Sequence, residues 1–384
     1  MTSPRIPVLV SAARTAVGKF NGALRTASAI DLGAAAVEGA LEPLNGLVPD
    51  HIFLGNVVQA GNGQNPARSA AVRGGVPPTV PATTLNNVCL ASMTAASLSA
   101  TLIRSGELDT ALVGGFDSMS RALHGIQIRQ AGVFGDRQVI DLLSKDGLWC
   151  ALSDRGMGPL SDESNTELGI SRADQDAFAL QSHLRAARAA QDGRFKKEIV
   201  PFQGLVDDEG IRPGTTLDRL GQLKSAFSER GSITAGNASQ MSDAGAAGII
   251  MNLGLARDRG HTAMVEIVDS ATIAGPDFSL HLKPAEAAKK LLKRNKLNAA
   301  DIGLWEINEA FAGVVLASVR ELDIGMERVN VNGGAIALGH PLGASGFRLI
   351  QTLAREMMDR EVDLGVAAIC GGGGQGQAIL LKLM

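Results

Sequence analysis

The chain has 384 residues, 45% of them apolar and 20% charged, with a formal charge of −3. That length buries a substantial core and divides into two or more domains, while the near-neutral charge gives no reason to expect nucleic acid or an anionic membrane as partner. Met1 to Pro7 lacks a basic region followed by an apolar stretch, and no later run of about 18 apolar residues stands out, so a cytoplasmic protein without membrane insertion is expected.

Val8 to Ala12 reads as a short buried strand, Ala29 to Leu44 as a helix and His51 to Val58 as a strand. Thr83 to Val88 runs into a helix from about Leu90 to Ser105, and Thr110 to Val113 is an apolar strand ending at Gly114-Gly115. Strands that are apolar throughout, alternating with helices, predict an α/β class in which helices cover the sheets. Met119 to Gly231 breaks this rhythm. It is charged and rich in turns, with one strong helix, Arg172 to Asp192, capped by Ser171 and Asp174. Arg194 to Pro201 looks like an extended return to the core, so the segment reads as an inserted loop domain, a natural seat of substrate selectivity. Helix Pro284 to Leu292, strand Ile302 to Glu306, helices Glu309 to Leu322 and Phe347 to Met358, and strand Gly365 to Ile369 follow. Gly106 to Gly115 echoes Arg360 to Ala367, each with a polar turn, an Asp and an apolar run. The echo predicts two similar α/β domains whose related loop faces bring Cys89 close to His340 and Cys370.

Three cysteines at wide, unequal spacing make neither a disulfide framework nor a CxxC metal site, and no HExxH or paired metal-ligand spacing occurs, so no metal is expected. No GxGxxG follows the first strand and no GxxxxGK[ST] appears, which argues against nucleotide-dependent redox and NTPase chemistry. Cys150, in Leu148-Trp149-Cys150-Ala151, reads as core packing. Cys89 follows a strand-like run and precedes a helix, where outward N–H groups and a nearby imidazole would lower a thiol pKa; the plain alternative is a buried apolar cysteine. Asn86 and Asn87 are costly there unless they bond backbone or ligand. His340, between Gly339 and Pro341, can accept the Cys89 proton or be a solvent-facing loop histidine. Cys370 precedes Gly371-Gly372-Gly373-Gly374, a candidate oxyanion nest or a simple strand-end turn. Asn308 and Glu309 can cap a helix or face the cleft. His51, His124, His183, His261 and His281 read as structural or exposed.

These residues together resemble the thiolase family over essentially the whole chain and in the family's order. The resemblance is carried by the helix start at Cys89, by Thr234-Ala235-Gly236-Asn237-Ala238-Ser239 and by Asn308-Glu309-Ala310-Phe311. It is carried most specifically by the block from Gly333 to Gly346 and by Cys370 with its glycines. It implies a thiolase fold, two βαβαβαββ domains in a layered α/β/α/β/α arrangement. Residues 1–118 and 232–263 would form the N-terminal domain, 119–231 the inserted loop domain and 264–384 the C-terminal domain, assembled as homodimers or homotetramers. It also implies roles. Cys89 is the acyl-accepting nucleophile, His340 activates it, and Cys370 moves the proton at C2 of the second acyl-CoA. Asn308 holds a water that, with His340, stabilises the enolate, and the N–H groups of Cys89 and Gly372 hold the tetrahedral oxyanion. Arg212, Ser239, Met157 and Phe311 would line coenzyme A or the acyl group.

The implied reaction is a reversible thioester Claisen condensation, two acetyl-CoA giving acetoacetyl-CoA and coenzyme A. Acyl-CoA thioesters and coenzyme A enter as substrates, with no permanently bound cofactor. Three departures from the family's pattern concern the substrate. Ser92 stands where glycine is usual after the nucleophile, Gly156 precedes Met157 where relatives often carry histidine, and Leu280-His281-Leu282-Lys283-Pro284 replaces Met-Gly-x-Gly-Pro. Cleavage of longer 3-oxoacyl-CoA is therefore the alternative within the fold. A non-catalytic acyl-CoA or lipid-binding protein is the alternative of another class, and it would need no second cysteine.

Overall fold

The computed structural model describes residues 5–129 and 134–384; Met1 to Pro4, part of the N-terminal segment read for a leader, lies outside them. Nine strands of four or more residues run through it: β1 Pro7–Thr15, β2 His51–Gly55, β3 Ala82–Leu85, β4 Thr110–Ser118, β5 Ser242–Asn252, β6 Val265–Ala274, β7 Leu304–Ile307, β8 Leu364–Gly371 and β9 Gln375–Leu383. The longer helices are α1 Ala29–Leu41, α2 Pro66–Arg73, α3 Ala91–Ser105, α4 Met157–Glu167, α5 Arg172–Gln191, α6 Lys283–Asn295, α7 Ala312–Leu322 and α8 Leu342–Arg360.

The strands join in the order β7-β8-β9-β6-β1-β5-β4-β2-β3. The seam between the halves is narrow, with Val8 opposite Glu266 and Leu9 opposite Val265. On the N-terminal half α1 and α2 cover one face, in a core that holds Ala36, Val37, Ala70 and Leu112. On the C-terminal half α6 and α7 do the same around Leu291, Val315 and Trp305. Between the halves α3 and α8 lie back to back in the largest apolar core. The result is the five-layer α/β/α/β/α stack that the resemblance implies.

The echo has a structural counterpart. Helix α3 ends on Gly106 at φ 86° and α8 on Glu361 at φ 54°, both left-handed. Each then passes through a polar turn, with Asp109 or Asp363, into β4 or β8. The two central helices and the strands after them are the corresponding halves of the molecule.

Several boundaries differ from the sequence reading for identifiable reasons. Helix α1 stops at Leu41 because Pro43 follows, and Glu42–Leu44 tightens into a 3₁₀ turn. Helix α8 begins at Leu342, five residues before Phe347, because Gly343 and Gly346 are contact points rather than a turn. A Cβ on Gly346 would come within 2.6 Å of the Met93 amide on α3. Helix α7 begins at Ala312 rather than Glu309, since Phe311 bridges Ala238 and Ser239 N–H bonds the Ala310 carbonyl, holding that run extended. Of Arg194 to Pro201, Phe195–Lys197 is a 3₁₀ turn and only Ile199–Val200 is extended, beside Arg14 and Thr15 of β1. Helix α5 carries the capping box of Ser171 and Asp174 as predicted. Val88–Ser105 is apolar enough, by length and composition alone, to cross a membrane, although it is not an unbroken apolar run. It comprises α3 and the three residues before it, and its buried residues pack between the two halves of the sheet.

Candidate active site

The turn into α3 is strained. Val88 sits at φ 57°, a left-handed conformation that a β-branched residue rarely adopts and that costs on the order of 1–3 kcal/mol. Its neighbours hold it there. Val88 N–H donates to Asn86 Oδ1 at 3.1 Å, while Asn87 Nδ2 donates to Thr94 Oγ1 at 2.8 Å, which donates in turn to Gln377 Oε1 at 2.8 Å. Both asparagines thus bond protein, while the Asn87 Oδ1 is buried without a protein partner. Cys89 follows, 9% exposed, at the entrance to α3.

His340 is placed by two anchors. Its own N–H donates to the Gln240 carbonyl at 2.9 Å, next to Ser239. Three residues on, Gly343 N–H at the start of α8 donates to Asp117 Oδ2 at 2.6 Å. Asp117 is buried at the end of β4 and also accepts from Val57 N–H, Val58 N–H and Asn56 Nδ2, so it ties the histidine block to the N-terminal half. The imidazole Nδ1 lies 2.6 Å from Ser345 Oγ, and Ser345 donates its single proton to the Pro341 carbonyl at 2.8 Å. Ser345 must therefore accept, Nδ1 carries the proton, and Nε2 presents a lone pair to the cleft.

Asn308 faces that lone pair, its Nδ2 3.4 Å from His340 Nε2. The Asn308 Oδ1 is buried without a protein partner, which leaves an acceptor for a water or substrate donor. Glu309 turns the other way, to Ser182, Asn330 and the Ile336 N–H, so of the two neighbours only Asn308 faces the cleft and neither caps α7.

Cys370 is 1% exposed near the end of β8. Gly371 pairs with Gln375, so Gly372, Gly373 and Gly374 form the whole hairpin turn, the last two at φ 79° and 70°. This loop aims the Gly372 N–H at the Cys89 sulfur, and the Cys370 thiol lies within the electrostatic reach of Cys89. Gly371 fits against Leu90, where a Cβ would come within 2.1 Å of Leu90 Cδ1. The structure therefore joins Cys89 to the Cys370 loop and Asn308 to His340, and the Asn308 N–H donates to the Ala368 carbonyl at 2.9 Å, two residues before Cys370.

The electrostatics correct one expectation. Burial pushes the Cys89 thiol up to about 12; the N–H groups of Cys89 and Gly372 pull it back, and the Asp117 carboxylate adds to the rise. Burial and the neighbouring Cys89 raise Cys370 as well. Burial, then the Arg348 charge, pulls His340 down to about 3. The helix start does not outweigh desolvation, so the resting site holds two neutral thiols and a neutral imidazole.

Around Cys370 the wall is apolar: Ile233, Leu280, Phe311 and Val314, with Met157 against it. Met157 reaches over the glycine loop, its sulfur 3.6 Å from where a Gly372 Cβ would be. Phe227, which the sequence reading passed over, meets Phe311 edge to face at 6.2 Å. Arg212 is exposed and bonds Gln240, the residue after Ser239, placing both beside the histidine block but not against the cysteines. Cys150 is buried as expected. Burial raises its thiol pKa, but the Ser153 hydroxyl and the N–H groups of Ser153, Leu152 and Gly373 outweigh that and lower it.

Comparison with known proteins gives the frame for this cleft. The family models for the thiolase N-terminal and C-terminal domains match residues 7–253 and 261–383. A probable acetyl-CoA acetyltransferase of Mycolicibacterium smegmatis is 44% identical over 98% of this chain and 100% of the relative. Acetyl-CoA acetyltransferases of Pseudomonas aeruginosa and Escherichia coli are each 41% identical, over 97% and 98% of this chain and 98% of each relative. This chain belongs to the thiolase family.

Proposed function

We propose that the chain is an acetyl-CoA acetyltransferase, condensing two acetyl-CoA to acetoacetyl-CoA and coenzyme A in a reversible reaction. The observation that carries this is the pairing of buried Cys89, at the start of α3, with a second buried cysteine, Cys370, whose following glycine packs against Leu90. The names of the relatives support it.

In this reading Cys89 Sγ attacks the acetyl thioester and its proton passes to His340 Nε2, the free lone pair. The N–H groups of Cys89 and Gly372 hold the oxyanion, a contribution of about 3–4 kcal/mol per donor in such sites. Coenzyme A leaves with the proton of Cys370, so Cys370 becomes a thiolate beside a protonated imidazole. That thiolate removes a proton from C2 of the second acetyl-CoA. The enolate oxygen is held by the Nε2–H of His340 and by a water on Asn308. The enolate carbon attacks the acetyl group on Cys89, and the departing Cys89 sulfur recovers its proton from His340. The site ends in its starting protonation state: Cys89 regains its proton from His340, and the proton that Cys370 gave to coenzyme A is replaced by the one taken from C2. Thiolysis runs the same steps backward.

Arg212 and Ser239 serve the coenzyme A moiety in this reading, and Met157 and Phe311 the acyl end. The chain works as a homo-oligomer, a dimer or tetramer. In support, Leu123, Ile126, Ile128, Phe134 and Val139 expose apolar side chains along one excursion, and β3 ends the sheet as an open edge. The test of the activity is coenzyme A-dependent loss of acetoacetyl-CoA against 3-oxohexanoyl-CoA. Faster turnover of the four-carbon substrate is expected. A higher rate with six or eight carbons would move the assignment to longer 3-oxoacyl-CoA, and no turnover of any would sink it.

A further inference from the structure

The segment Leu280-His281-Leu282-Lys283-Pro284 puts an imidazole directly after a residue of the acyl wall. Leu280 packs with Cys370, Phe311 and Val314, whereas His281 points away from them and is fully buried. Its Nε2 lies 2.8 Å from Asn165 Oδ1, near the end of α4. The Asn165 amide nitrogen donates to Gln175 Oε1 and Ser232 Oγ, both at 3.2 Å. Its oxygen is thus the acceptor and the histidine carries its proton on Nε2. The His281 Nδ1 is buried with no partner. A polar ring retained with one orphaned nitrogen calls for an explanation beyond packing.

The pair also fixes α7. Gly313, in its first turn, sits in the notch between the two side chains; a Cβ there would come within 2.0 Å of Asn165 Oδ1 and 2.6 Å of His281 Nε2. Three elements therefore meet at one hydrogen bond. Each sends a residue to the acyl wall: α4 sends Met157 from its other end, the segment before α6 sends Leu280, and α7 with its approach sends Val314 and Phe311. A longer acyl chain needs at least one of these walls to yield, and close-packed elements pinned together do not yield singly.

We propose that His281, through its bond to Asn165, is the specificity-determining residue that locks the acyl pocket at four-carbon size. The proposal rests on the thiolase reading above and names its substrate limit. His281 acts as a positioning residue, since it touches the wall-bearing elements rather than the reacting atoms. Burial pulls its pKa down to about 4, so the neutral Nε2–H donor persists through the working range and the limit does not vary with pH there. Burial is the cause of that shift, and among the described residues the polar groups facing it are Asn165, the Ser318 hydroxyl on its carbonyl and the Gly313 backbone.

The test measures kcat and KM for thiolysis of acetoacetyl-CoA and 3-oxooctanoyl-CoA by the unaltered protein and by His281→Ala, Asn165→Ala and His281→Gln. Both alanine variants should keep kcat on acetoacetyl-CoA within about threefold while kcat/KM on the eight-carbon substrate rises about tenfold, the scale of pocket discrimination. Gln reaches as far and donates one N–H, so His281→Gln should retain the four-carbon preference. Unchanged selectivity in both alanine variants, or a parallel fall for both substrates, overturns the proposal. Failure of both alanine variants to fold would make the junction a stability element and overturn it too. No turnover of either substrate by the unaltered protein sinks the functional reading itself.

Discussion

Ser345 accepts a hydrogen bond from His340 Nδ1 at 2.6 Å while giving its own proton to the Pro341 carbonyl. That relation leaves Nε2 as the lone-pair face of the ring, turned toward Asn308. A hydroxyl one turn into α8 thus sets which nitrogen offers its lone pair, the one that takes the Cys89 proton in the proposed reaction.

Replacing Ser345 with Ala should remove the acceptor and free the ring to adopt the other tautomer. The expected loss is about 100-fold in kcat, within the range of a general-base contribution, with KM for acetyl-CoA little changed. Steady-state condensation kinetics check it. A purely structural role would instead lower Tm without separating kcat from KM.

Gly374 is the second lever on the site. At φ 70° it has the Asp277 carbonyl where its Cβ would go, at 2.1 Å. Gly374→Ala must shift the hairpin and take the Gly372 N–H off the Cys89 sulfur. Loss of one oxyanion donor lowers kcat by about 100- to 1,000-fold. Labelled acetyl-CoA should then acylate Cys89 correspondingly slowly; acylation at the unaltered rate would contradict the role given to Gly372.

Acid should weaken the fold in a defined window. Burial pulls His340 to about 3 and both His281 and His183 to about 4, the Arg348 and Arg212 charges adding to the effect at the first and third. In the unfolded chain these rings take protons near about 6.5. Between those limits the unfolded state binds more protons, so the stabilisation is complete above about 6.5 and is lost as pH falls toward 4. Burial raises Glu306 to about 8, with the opposite sign: its native form keeps the proton, so its contribution is lost as pH rises through 8. Urea unfolding of His281→Gln at about pH 5 and pH 7 should show a smaller acid loss than the unaltered chain, by about 1.4 kcal/mol per pH unit for the one proton removed. An identical acid loss would mean that His281 is charged in the fold.

Much of the site was legible because its residues stand where packing alone explains them poorly. Cys89 at a strand–helix junction, His340 among glycines and Cys370 before four glycines are visible without coordinates. What escaped has physical reasons. Strand β5 lies at the centre of the sheet, yet Ser242-Asp243-Ala244-Gly245-Ala246-Ala247-Gly248 has no β-branched residue, because neighbouring backbone comes too close: a Cβ on Gly245 would meet the Leu32 carbonyl at 2.3 Å. The glycines of Gly343 to Gly346 read as a turn because their cost in a helix is intrinsic, whereas their use against α3 is tertiary. The fall in the Cys89 pKa expected from its helix start was reversed by burial, which a sequence does not report. The His281–Asn165 junction joins residues 116 positions apart. No local pattern marks it, and only the departure from the family's pattern at Leu280 to Pro284 pointed to that wall.

The central claim is that the two buried thiols divide the work, one carrying the acyl group and the other the carbon-bound proton. Cys370→Ala with labelled acetyl-CoA tests it most directly. The account predicts a labelled thioester on Cys89, no acetoacetyl-CoA and no exchange of the C2 protons of acetyl-CoA with deuterated solvent. Acetoacetyl-CoA formed at the unaltered rate, or C2 proton exchange at the unaltered rate, would contradict it.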